Sequence, residues 1–596
     1  MGLELPPGIA FLIQRIPQIF GPIIAIYITF SALITWDVIP FASKSPLLSS
    51  TGSKLFFSVA VMPVFMVARV WVTDILNQRR AHALGARLPV RYEAKRWGGL
   101  DLIVRLTAHN TYIGDFTSSA IEATGSNTVI FRTLMEDRIV TAEPEHIKIM
   151  LATQFENFIK DVQGNGTVGR LLGNGIFSVD GDMWKFHRNT ARPFFSKDRI
   201  SDFDNFEKHA QIALDAAQAR LDEGYAVDLQ DLASRFTMDS ATTYLFDHDV
   251  QSLSAVLPYP PTLAHAPIPG AGHPSDAFCD AFAQGQRLVV DRINKGSAWP
   301  LFEFWSDSVK KQRDPLGLCI EPILRRALER KKDERAGKNG EEKKDVRWSS
   351  MLEYLANQTD DETLIMDTIL SMLVAGRDTT ACCLTFSMYM LSEHPTVLSR
   401  LREEVLRIVG PDQPPTLEQI PELKFLRAVI NETLRLYPPV AANMKKPVNA
   451  TVFPSKNTEQ PDIFVPAGID ISYSVSLMHR RKDLWGPDAL EFDPDRWLDD
   501  RLRKYYVSNP FIFMPFHAGP RICLGQQFAY HEASYFIIRF LQRFERLQHH
   551  PELQRPEDKP PAEWMGKFEG PKGRDTIWPK QHLTVYSKGG LWMDLA

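Results

Sequence analysis

Near its C-terminus the chain reads FHAGPRICLG, from Phe516 to Gly525. Cys523 stands just before a stretch with the spacing of an amphipathic helix, whose unpaired N–H groups and dipole would stabilise a thiolate. Gly519 and Gly525 permit a tight loop that can approach a flat cofactor closely. Arg521 supplies a cation for a carboxylate, and Phe516 supplies an aromatic plate beside the sulfur. Such a loop suits a thiolate ligand of haem iron.

The same ten residues match every specified position of the Phe-x-x-Gly-x-Arg-x-Cys-x-Gly signature, so the chain resembles the cytochrome P-450 family. The resemblance implies a haem-thiolate monooxygenase in which Cys523 is the axial ligand of haem b. It also implies the family's fold, which is mainly α with a small β portion and forms a single large haem domain. A cysteine of this kind that stands alone is more often a small buried hydrophobe.

A second constellation is the ETLR segment, in which Glu432 and Arg435 share one helix face. Alone, such a pair is common and weak. With Arg496 in the downstream Pro-Asp-Arg-Trp segment, it resembles the Glu–Arg–Arg lock of the family, a structural role. The family usually has Glu and Phe where this chain has Asp495 and Trp497, and both changes keep charge or aromatic character.

A third constellation contains Trp184 and Arg188, which are four residues apart and therefore lie on one helix face. It resembles the Trp-x-x-x-Arg element with which the family holds the haem propionates. The alternative reading is a surface helix with scattered bases.

The longest predicted helix, residues 361–393, contains the run AGRDTT from Ala375 to Thr380. A glycine inside a helix costs about 1 kcal/mol relative to alanine, so Gly376 invites a functional reason. By resemblance, Gly376 lets the helix open beside the iron, Thr379 offers its hydroxyl to bound dioxygen, and Asp378 resupplies protons through water. The structural alternative is a kinked helix whose threonines bond back to the preceding turn.

Composition sets outer limits on function. The 596 residues are 44% hydrophobic and 23% charged, which is ordinary for a globular protein. A net charge of −4 argues against a nucleic-acid partner. Five cysteines without a CxxC pair exclude a disulfide framework and give no sign of a zinc site.

The N-terminal region is the exception to this average composition. Residues 19–36 carry no charge and are long enough to span a bilayer. A second apolar stretch, residues 55–72, contains Pro63 and Arg69, so it either completes a helical hairpin or lies on the membrane surface or the catalytic body. Bases that follow predict a cytosolic location for the rest: Arg79, Arg80, Arg87, Arg91, Lys95 and Arg96.

These observations predict three parts. Residues 1–78 form a membrane anchor of one or two transmembrane helices, 79–100 a basic linker or hinge, and 101–596 the haem domain. The expected location is the endoplasmic reticulum membrane, with the catalytic domain facing the cytosol.

Periodicity within the body predicts further elements. Helices are expected at residues 361–393, 421–436 and 524–544, and strands at 462–465, 469–475 and 582–586. Residues 253–274 and 325–347 read as surface insertions, because the first is rich in Pro and Ala and the second in mixed charge.

The resemblance also implies partners. Electrons would come from NADPH through a separate membrane-bound NADPH-cytochrome P-450 reductase, because 596 − 523 leaves only 73 residues after the cysteine, too few for a flavin domain. Lys185, Arg480 and Arg481 are candidate bases for its docking. The other expected partners are dioxygen, membrane lipid and a hydrophobic small-molecule substrate.

The expected substrate class is predicted from short segments of the sequence. Residues 175–185 and 373–381 resemble fungal and plant members that oxidise fatty acids and alkanes. Ala375, Val440, Ala441 and Ala442 form a tentative substrate pocket, which is apolar and small-sided. The preferred function is therefore hydroxylation of long-chain fatty acids or alkanes at or near the chain terminus.

Three alternatives stay open at this stage. The first is a broad-specificity hydroxylase of xenobiotics or polycyclic aromatics. The second is a haem-thiolate isomerase or dehydrase that acts on peroxides without dioxygen, against which the Asp378–Thr379 pair speaks. The third is a non-catalytic haem sensor or lipid-binding membrane protein.

Overall fold

The computed structural model describes residues 5–36, 38, 50–108, 111–160, 167–197, 199–200, 203–263, 274–335, 350–457 and 459–596. Its α-helices are α1 Pro7–Thr35, α2 Thr51–Ala83, α3 Leu100–Thr107, α4 Asp115–Thr124, α5 Pro144–Lys148, α6 Val168–Leu172, α7 Gly181–Ala191, α8 Phe203–Asp222, α9 Leu229–Phe246, α10 Pro274–Lys295, α11 Trp299–Phe302, α12 Ser308–Arg335, α13 Met351–Gln358, α14 Glu362–Glu393, α15 Pro395–Ile408, α16 Lys424–Leu436, α17 Val475–Met478, α18 Lys482–Trp485, α19 Gln526–Arg543 and α20 Pro571–Arg574.

The strands are short and few. They are β1 Val90–Arg91, β2 Thr128–Thr133, β3 Glu136–Thr141, β4 Phe158–Ile159, β5 Val227–Asp228, β6 Ala442–Pro447, β7 Thr451–Phe453, β8 Ile463–Val465, β9 Asp470–Ser474, β10 Leu547–His549, β11 Trp578–Gln581, β12 Val585–Lys588 and β13 Trp592–Leu595. The predicted class, mainly α with a small β portion, is confirmed.

The two N-terminal helices pack against each other, with the rings of Phe30 and Phe57 5.9 Å apart. Among the described residues, three helices are long and apolar enough to cross a membrane: α1, α2 and α14. The apolar windows of α1 and α2 are only 6% buried, whereas that of α14 is 78% buried. The first two helices are therefore candidate membrane spans that pack as a hairpin, and α14 is a core helix.

The second apolar stretch meets the catalytic body through its C-terminal end. Asp74 forms ion pairs with Arg132 on β2, and the buried Ala81 packs against Phe464 on β8. The predicted boundary at residue 78 falls inside α2, and β1 already belongs to the main sheet. The division into anchor, linker and haem domain stays a prediction.

The longest core helix, α14, follows its sequence signals closely. The Asp361 carboxylate accepts hydrogen bonds from the N–H groups of Thr363 and Leu364 at 3.0 and 3.1 Å, which caps the first turn. Pro395 cannot continue the helix, and α14 ends at Glu393. Helices α9, α16 and α19 pack around α14, so it forms the centre of the body.

Two predicted elements have different boundaries. The helix predicted from residue 421 begins at Lys424, because the N–H groups of Phe425 and Leu426 are capped by the Glu404 carboxylate of α15, both at 2.9 Å. Pro421 lies in a separate 3₁₀ turn. The strand predicted at 582–586 is also shifted: β12 starts at Val585, and residues 582–584 form a turn.

The remaining predicted elements hold with small adjustments. The helix expected at 524–544 is α19, and the strands expected at 462–465 and 469–475 are β8 and β9. Of the two insertions, residues 264–273 and 336–347 lie outside the described part of the chain. In the second insertion α12 continues to Arg335.

The main sheet has six strands in the order β1-β2-β3-β9-β6-β4. Strands β6 and β9 are antiparallel, with Asn443 opposite Tyr473. Strands β3 and β9 are parallel, with Arg138 opposite Asp470. This sheet matters for function because β3, β6 and β9 each contribute side chains to the cavity described next.

Candidate active site

A cavity of about 1220 Å³ lies between α14, the loop before α19 and the main sheet. Sequence motifs far apart in the chain meet in its wall. The predicted site residues that line it are Trp184, Arg188, Ala375, Thr379, Val440, Ala441, Ala442, Phe516, Arg521 and Cys523.

The Cys523 side chain faces into this cavity and is exposed to it. Its backbone N–H donates to the Phe516 carbonyl at 2.9 Å, which closes the loop, and α19 begins three residues later at Gln526. Burial raises the pKa of the thiol, whereas the Gly525 N–H and the charge of Arg188 lower it. A donor and a cation are thus already directed at the sulfur.

Arg521 lines the cavity and has N–H donors without a hydrogen-bond acceptor among the described residues. Its guanidinium forms an ion pair with Asp180 and lies 4.6 Å above the centre of the Trp184 ring. Its Nε and Nη1 atoms are buried and have no hydrogen-bond partner within the described residues. Arg188 donates to the Ile522 carbonyl at 2.9 Å and so braces the same loop.

Two lysines that sequence reasoning missed stand beside this arginine. Burial, together with the charge of Arg521, lowers the pKa of Lys160 to about 7 and that of Lys445 to about 8, and Asp180 opposes both shifts. Lys445 is only 1% exposed although it lies on strand β6. The signal in the sequence that could have indicated Lys445 is a lysine at a strand position whose side chain faces inward.

A histidine and a tyrosine complete the polar wall. The Tyr473 hydroxyl lies 2.7 Å from His517 Nε2. Burial and the charges of Lys160 and Lys445 lower the pKa of His517 to about 3, so the imidazole is neutral. His517 also has a φ of +65°, a conformation that non-glycine residues adopt rarely.

These residues fit a haem group. Buried cations are costly unless an anion compensates them, and the wall holds Arg521, Lys160 and Lys445 beside a large apolar space. Carboxylates of a bound cofactor would supply that anion, and the thiol of Cys523 is an established type of haem-iron ligand. When bound, haem supplies the capacity to activate dioxygen.

The oxygen-side motif on α14 has a different geometry from the one predicted. The helix is continuous from Glu362 to Glu393, and the Thr379 hydroxyl donates to the Ala375 carbonyl at 2.6 Å. A Cβ on Gly376 would make only an ordinary contact with Ala241, at 3.8 Å. The described helix therefore runs without a break through this motif, and the back-bonded arrangement of Thr379 is present.

Asp378 points away from the cavity and is not among the described residues that line it. Its carboxylate accepts from Arg377 Nη1 at 2.8 Å and from Gln286 Nε2 at 2.5 Å. Burial raises the pKa of Asp378, and the Arg377 and Gln286 contacts lower it. The Asp378 carboxyl is thus hydrogen-bonded to Arg377 and Gln286, whereas the neighbouring Thr379 lines the cavity.

The structural lock residues come together in the core. Glu432 accepts two hydrogen bonds from Arg435, both at 2.8 Å, and one from Trp497 Nε1 at 3.0 Å. Arg496 approaches the same carboxylate at 3.4 Å and donates to the carbonyls of Trp485 and Asp488. The aromatic residue at position 497 therefore adds a donor that phenylalanine lacks.

The comparison with known proteins decides the family. A family model described as Cytochrome P450 matches residues 119–567. The chain belongs to the cytochrome P450 family.

Curated relatives agree with this assignment. Cytochrome P450 52E2 of Candida apicola is 35% identical over 484 residues, which cover 80% of this chain and 88% of the relative. Cytochrome P450 52A3-A of Candida maltosa is 37% identical, covering 70% and 77%. Cytochrome P450 monooxygenase pvhE of Talaromyces variabilis is 36% identical, covering 72% and 78%.

Membership makes this P450 an oxygen-incorporating oxidoreductase that uses haem iron, a redox partner, dioxygen and a hydrophobic substrate. The two N-terminal apolar helices are candidates for its membrane anchor.

Gly519, a predicted cofactor contact, also has a packing role in the P450. Gly519 has a φ of +66°, and a Cβ there would lie 1.9 Å from the Leu151 carbonyl oxygen. Gly519 is not among the described residues that line the cavity. This glycine therefore lets the cysteine loop pack on the backbone near residue 151, and its contact with a cofactor stays a prediction. Phe516 lines the cavity, and its ring lies 5.0 Å from the Tyr530 ring, with the two planes tilted by 47°.

Two of the three bases considered for reductase docking on the P450 are half-buried and bonded to other groups of the chain. Arg480 donates to the Leu436 carbonyl, and Arg481, with a side chain 11% exposed, pairs with Glu143 and Asp483. Their sequence position beside a buried helix could not reveal these partners. Lys185 is 54% exposed and pairs only with its neighbour Asp182 among the described residues.

Proposed function

We propose that this P450 hydroxylates long-chain fatty acids or alkanes at or near the chain terminus. The observation that carries the proposal is the shape of the lining: Ala375, Val440, Ala441 and Ala442 meet in the same cavity as Cys523. Small apolar side chains leave room beside the sulfur for the end of a hydrocarbon chain. The cavity continues from there to helix α10 and strand β3.

The polar part of the lining favours fatty acids over alkanes. Arg287 on α10 and Arg138 on β3 both line the cavity. Arg287 is exposed, and the Nε of Arg138 is buried without a hydrogen-bond partner among the described residues. A guanidinium is well suited to a carboxylate, so an acid that enters tail first would meet one of these cations.

The proposed cofactor is haem b. Cys523 would ligate its iron, and Arg521, Arg188, Trp184, Lys160 and Lys445 would hold its propionates. The propionates of bound haem would carry negative charge, which would compensate the buried positive charges of Arg521 and the two lysines.

Proton supply is assigned to Asp378 and Thr379. The Thr379 hydroxyl faces the cavity and can exchange its bond to the Ala375 carbonyl for one to a ligand. Asp378 would deliver protons only after its carboxyl turns from Gln286 towards the cavity. Gln286 and Arg377 are therefore the groups that set the resting position of this acid.

Electrons are proposed to come from NADPH through a separate NADPH-cytochrome P450 reductase. The basic residues that follow the hairpin favour a cytosolic catalytic domain on the endoplasmic reticulum membrane.

The test is turnover by the full chain in lipid nanodiscs with that reductase and NADPH. Hexadecanoic acid, hexadecane and phenanthrene are compared, and products are identified by mass spectrometry. We expect hydroxylation of the acid at or near its terminal carbon. Oxidation of phenanthrene with neither aliphatic substrate hydroxylated would contradict the proposal and favour an aromatic hydroxylase.

A substitution of Arg287 tests the proposed contact with the substrate carboxylate. Arg287→Glu should raise KM for hexadecanoic acid about tenfold or more, because a repulsive charge replaces an attractive one, and leave hexadecane turnover unchanged. Arg326→Glu, an exposed residue on α12, is the matched control. Equal KM changes for acid and alkane, or none, would exclude Arg287 as the carboxylate partner.

A further inference from the structure

A buried acid on α19 lies directly behind the cavity wall. Phe528 and Ala529 of α19 line the cavity, and Glu532 follows them one turn later on the same side of the helix. Glu532 is fully buried and is not among the described residues that line the cavity. Its carboxyl group is therefore one helical turn away from the space in which the reaction takes place.

One oxygen of this carboxyl group is held by helix α9. The Ser240 hydroxyl donates to Glu532 Oε1 at 2.7 Å, and Ser240 is itself buried. Asn205 Nδ2 donates to the Ser240 carbonyl at 3.1 Å and so braces this serine. The hydrogen bond from Ser240 leaves the second carboxyl oxygen, Oε2, for a contact with α14.

The second oxygen has a threonine of α14 as its neighbour. Glu532 Oε2 and the Thr380 hydroxyl oxygen are both buried, and neither has a hydrogen-bond partner of good geometry among the described residues. The Thr380 hydroxyl nevertheless lies close enough to the carboxyl group to lower its pKa. A small rotation or one bridging water would pair the two groups, and this pairing is favourable because an unpaired buried polar group costs free energy.

Thr380 differs from other threonines of the same helix. The hydroxyls of Thr368, Thr379 and Thr385 donate to the carbonyl four residues earlier, at 2.8, 2.6 and 2.7 Å. Thr380 makes no such bond within the described part of α14, although it lines the cavity beside Thr379. Because a hydroxyl is both a donor and an acceptor, Thr380 can accept from the carboxyl group and donate to a molecule in the cavity.

The surroundings of Glu532 keep its proton in place at rest. Burial raises the pKa of Glu532 to about 8, and no charged side chain among the described residues contributes to this shift. The acidic and basic groups on the helices around it have hydrogen-bond partners of their own: Glu207, His209, Asp239, Tyr244, Asp378 and His531. The carboxyl group is therefore an isolated acid whose described polar neighbours are hydroxyls.

We propose that Glu532 is a proton donor for the reaction of this P450 and acts on the cavity through the Thr380 hydroxyl. Monooxygenation uses two electrons and two protons to convert one oxygen atom of dioxygen into water. In the proposed transfer the Glu532 O–H bond breaks and the Thr380 oxygen gains this proton, while the Thr380 hydroxyl gives its own proton to the oxygen that is being reduced. The resulting carboxylate accepts from Ser240 and Thr380, and it regains a proton from water by the same path.

This route is additional to the one assigned to Asp378 and Thr379. The Asp378 carboxyl must turn away from Gln286 before it reaches the cavity, whereas Thr380 already lines the cavity. The inference does not depend on which hydrophobic substrate is oxidised.

The product formed per NADPH oxidised tests the donor in the full chain, in nanodiscs with the reductase and whichever of hexadecanoic acid, hexadecane and phenanthrene is turned over. Glu532→Gln keeps an acceptor for Ser240 but has no acidic proton, so the ratio should fall about threefold or more. Thr380→Val should lower the ratio in the same way, because the hydroxyl is lost. Thr380→Ser should keep it near the wild-type value.

The matched control is Ser240→Ala, which removes a hydrogen bond from the same carboxyl group but leaves Glu532 Oε2 and Thr380 in place. Its ratio should stay near that of the wild type. An unchanged ratio in Glu532→Gln, or an equal loss in Ser240→Ala, would overturn the proposal. A normal carbon-monoxide difference spectrum verifies that each variant folds and holds haem.

Infrared spectroscopy of the resting protein tests the donor without turnover. At neutral pH the wild type should show the C=O stretching band of a protonated carboxylic acid that is lost in Glu532→Gln and shifted in Thr380→Val. Glu563→Gln, which changes an exposed carboxylate, should leave this band unchanged. If Glu532→Gln removes no such band, Glu532 has no proton to give and the proposal is wrong.

Discussion

Arg521 is the residue around which the electrostatics of the cavity are organised. It stands near Arg188, Lys160 and Lys445, and its charge contributes to the lowered pKa of both lysines. Clustered cations repel one another, and burial removes the water that would screen them. The wall is therefore built for an anionic ligand, which agrees with the haem-binding role that the P450 family implies.

At the same scale, Thr379 allows a test of the proposed proton supply. Thr379→Ala should retain haem and NADPH consumption, but the product formed per NADPH should fall severalfold because a hydroxyl is lost from the cavity wall. The measurement is the ratio of hydroxylated product to NADPH oxidised.

A matched control exists on the same helix. The Thr385 hydroxyl donates to the Ala381 carbonyl at 2.7 Å in the same back-bonded way, but Thr385 is not among the described residues that line the cavity. Thr385→Ala should leave the ratio unchanged. An unchanged ratio in Thr379→Ala would reduce the role of Thr379 to bonding within α14.

At the scale of elements, α9, α14 and α19 meet at a buried acid. Glu532 of α19 is fully buried and accepts a hydrogen bond from Ser240 of α9 at 2.7 Å. Burial raises the pKa of Glu532 to about 8, and the hydroxyls of Ser240 and Thr380 oppose that shift. The carboxyl is therefore largely neutral when the helices are packed.

This raised pKa makes the packing of the three helices sensitive to pH. The folded protein holds this proton more tightly than the unfolded chain does, so the free energy of unfolding falls as pH rises from about 4.5 through 8. Glu532→Gln removes the titration and keeps an acceptor for Ser240. Its melting temperature should fall less than that of the wild type between about pH 5 and pH 8.

The control for this pH effect is Glu563→Gln, which changes an exposed carboxylate. Its melting temperature should follow the wild-type pH dependence. If Glu532→Gln keeps the wild-type pH dependence as well, Glu532 is ionised in the folded protein and the assignment of its neutral form is wrong.

At the scale of the whole molecule, local patterns predicted some features well. The cysteine loop, the α14 boundaries and the Glu432–Arg435 pair depend on neighbours close in sequence, so periodicity and motif spacing revealed them. The start of α16 was not predicted correctly, because the carboxylate that caps it belongs to Glu404 of another helix. A long-range cap leaves no local signal.

Long-range contacts also explain the missed parts of the site. Lys160 and Lys445 belong to it only because the sheet brings β6 beside the segment that follows β4. The motif predicts Gly519 as a cofactor contact, but its close approach to the Leu151 carbonyl joins segments far apart in the chain and could not be predicted. The candidate anchor was predicted from hydropathy, whereas the hydrogen bond from its Gly8 N–H to the Phe304 carbonyl joins residues nearly three hundred positions apart.

The central claim is that Cys523 ligates haem iron in the cavity that α14 and the main sheet enclose. The most direct measurement is the absorption spectrum of the reduced, carbon-monoxide-bound full-length protein, with Cys523→Ala as the control. The account predicts that the Soret band of the wild type is shifted strongly to longer wavelength, since a thiolate donates electron density to the iron. This shifted band should be absent from the Cys523→Ala variant. An unshifted band from wild-type protein that has bound haem would contradict it.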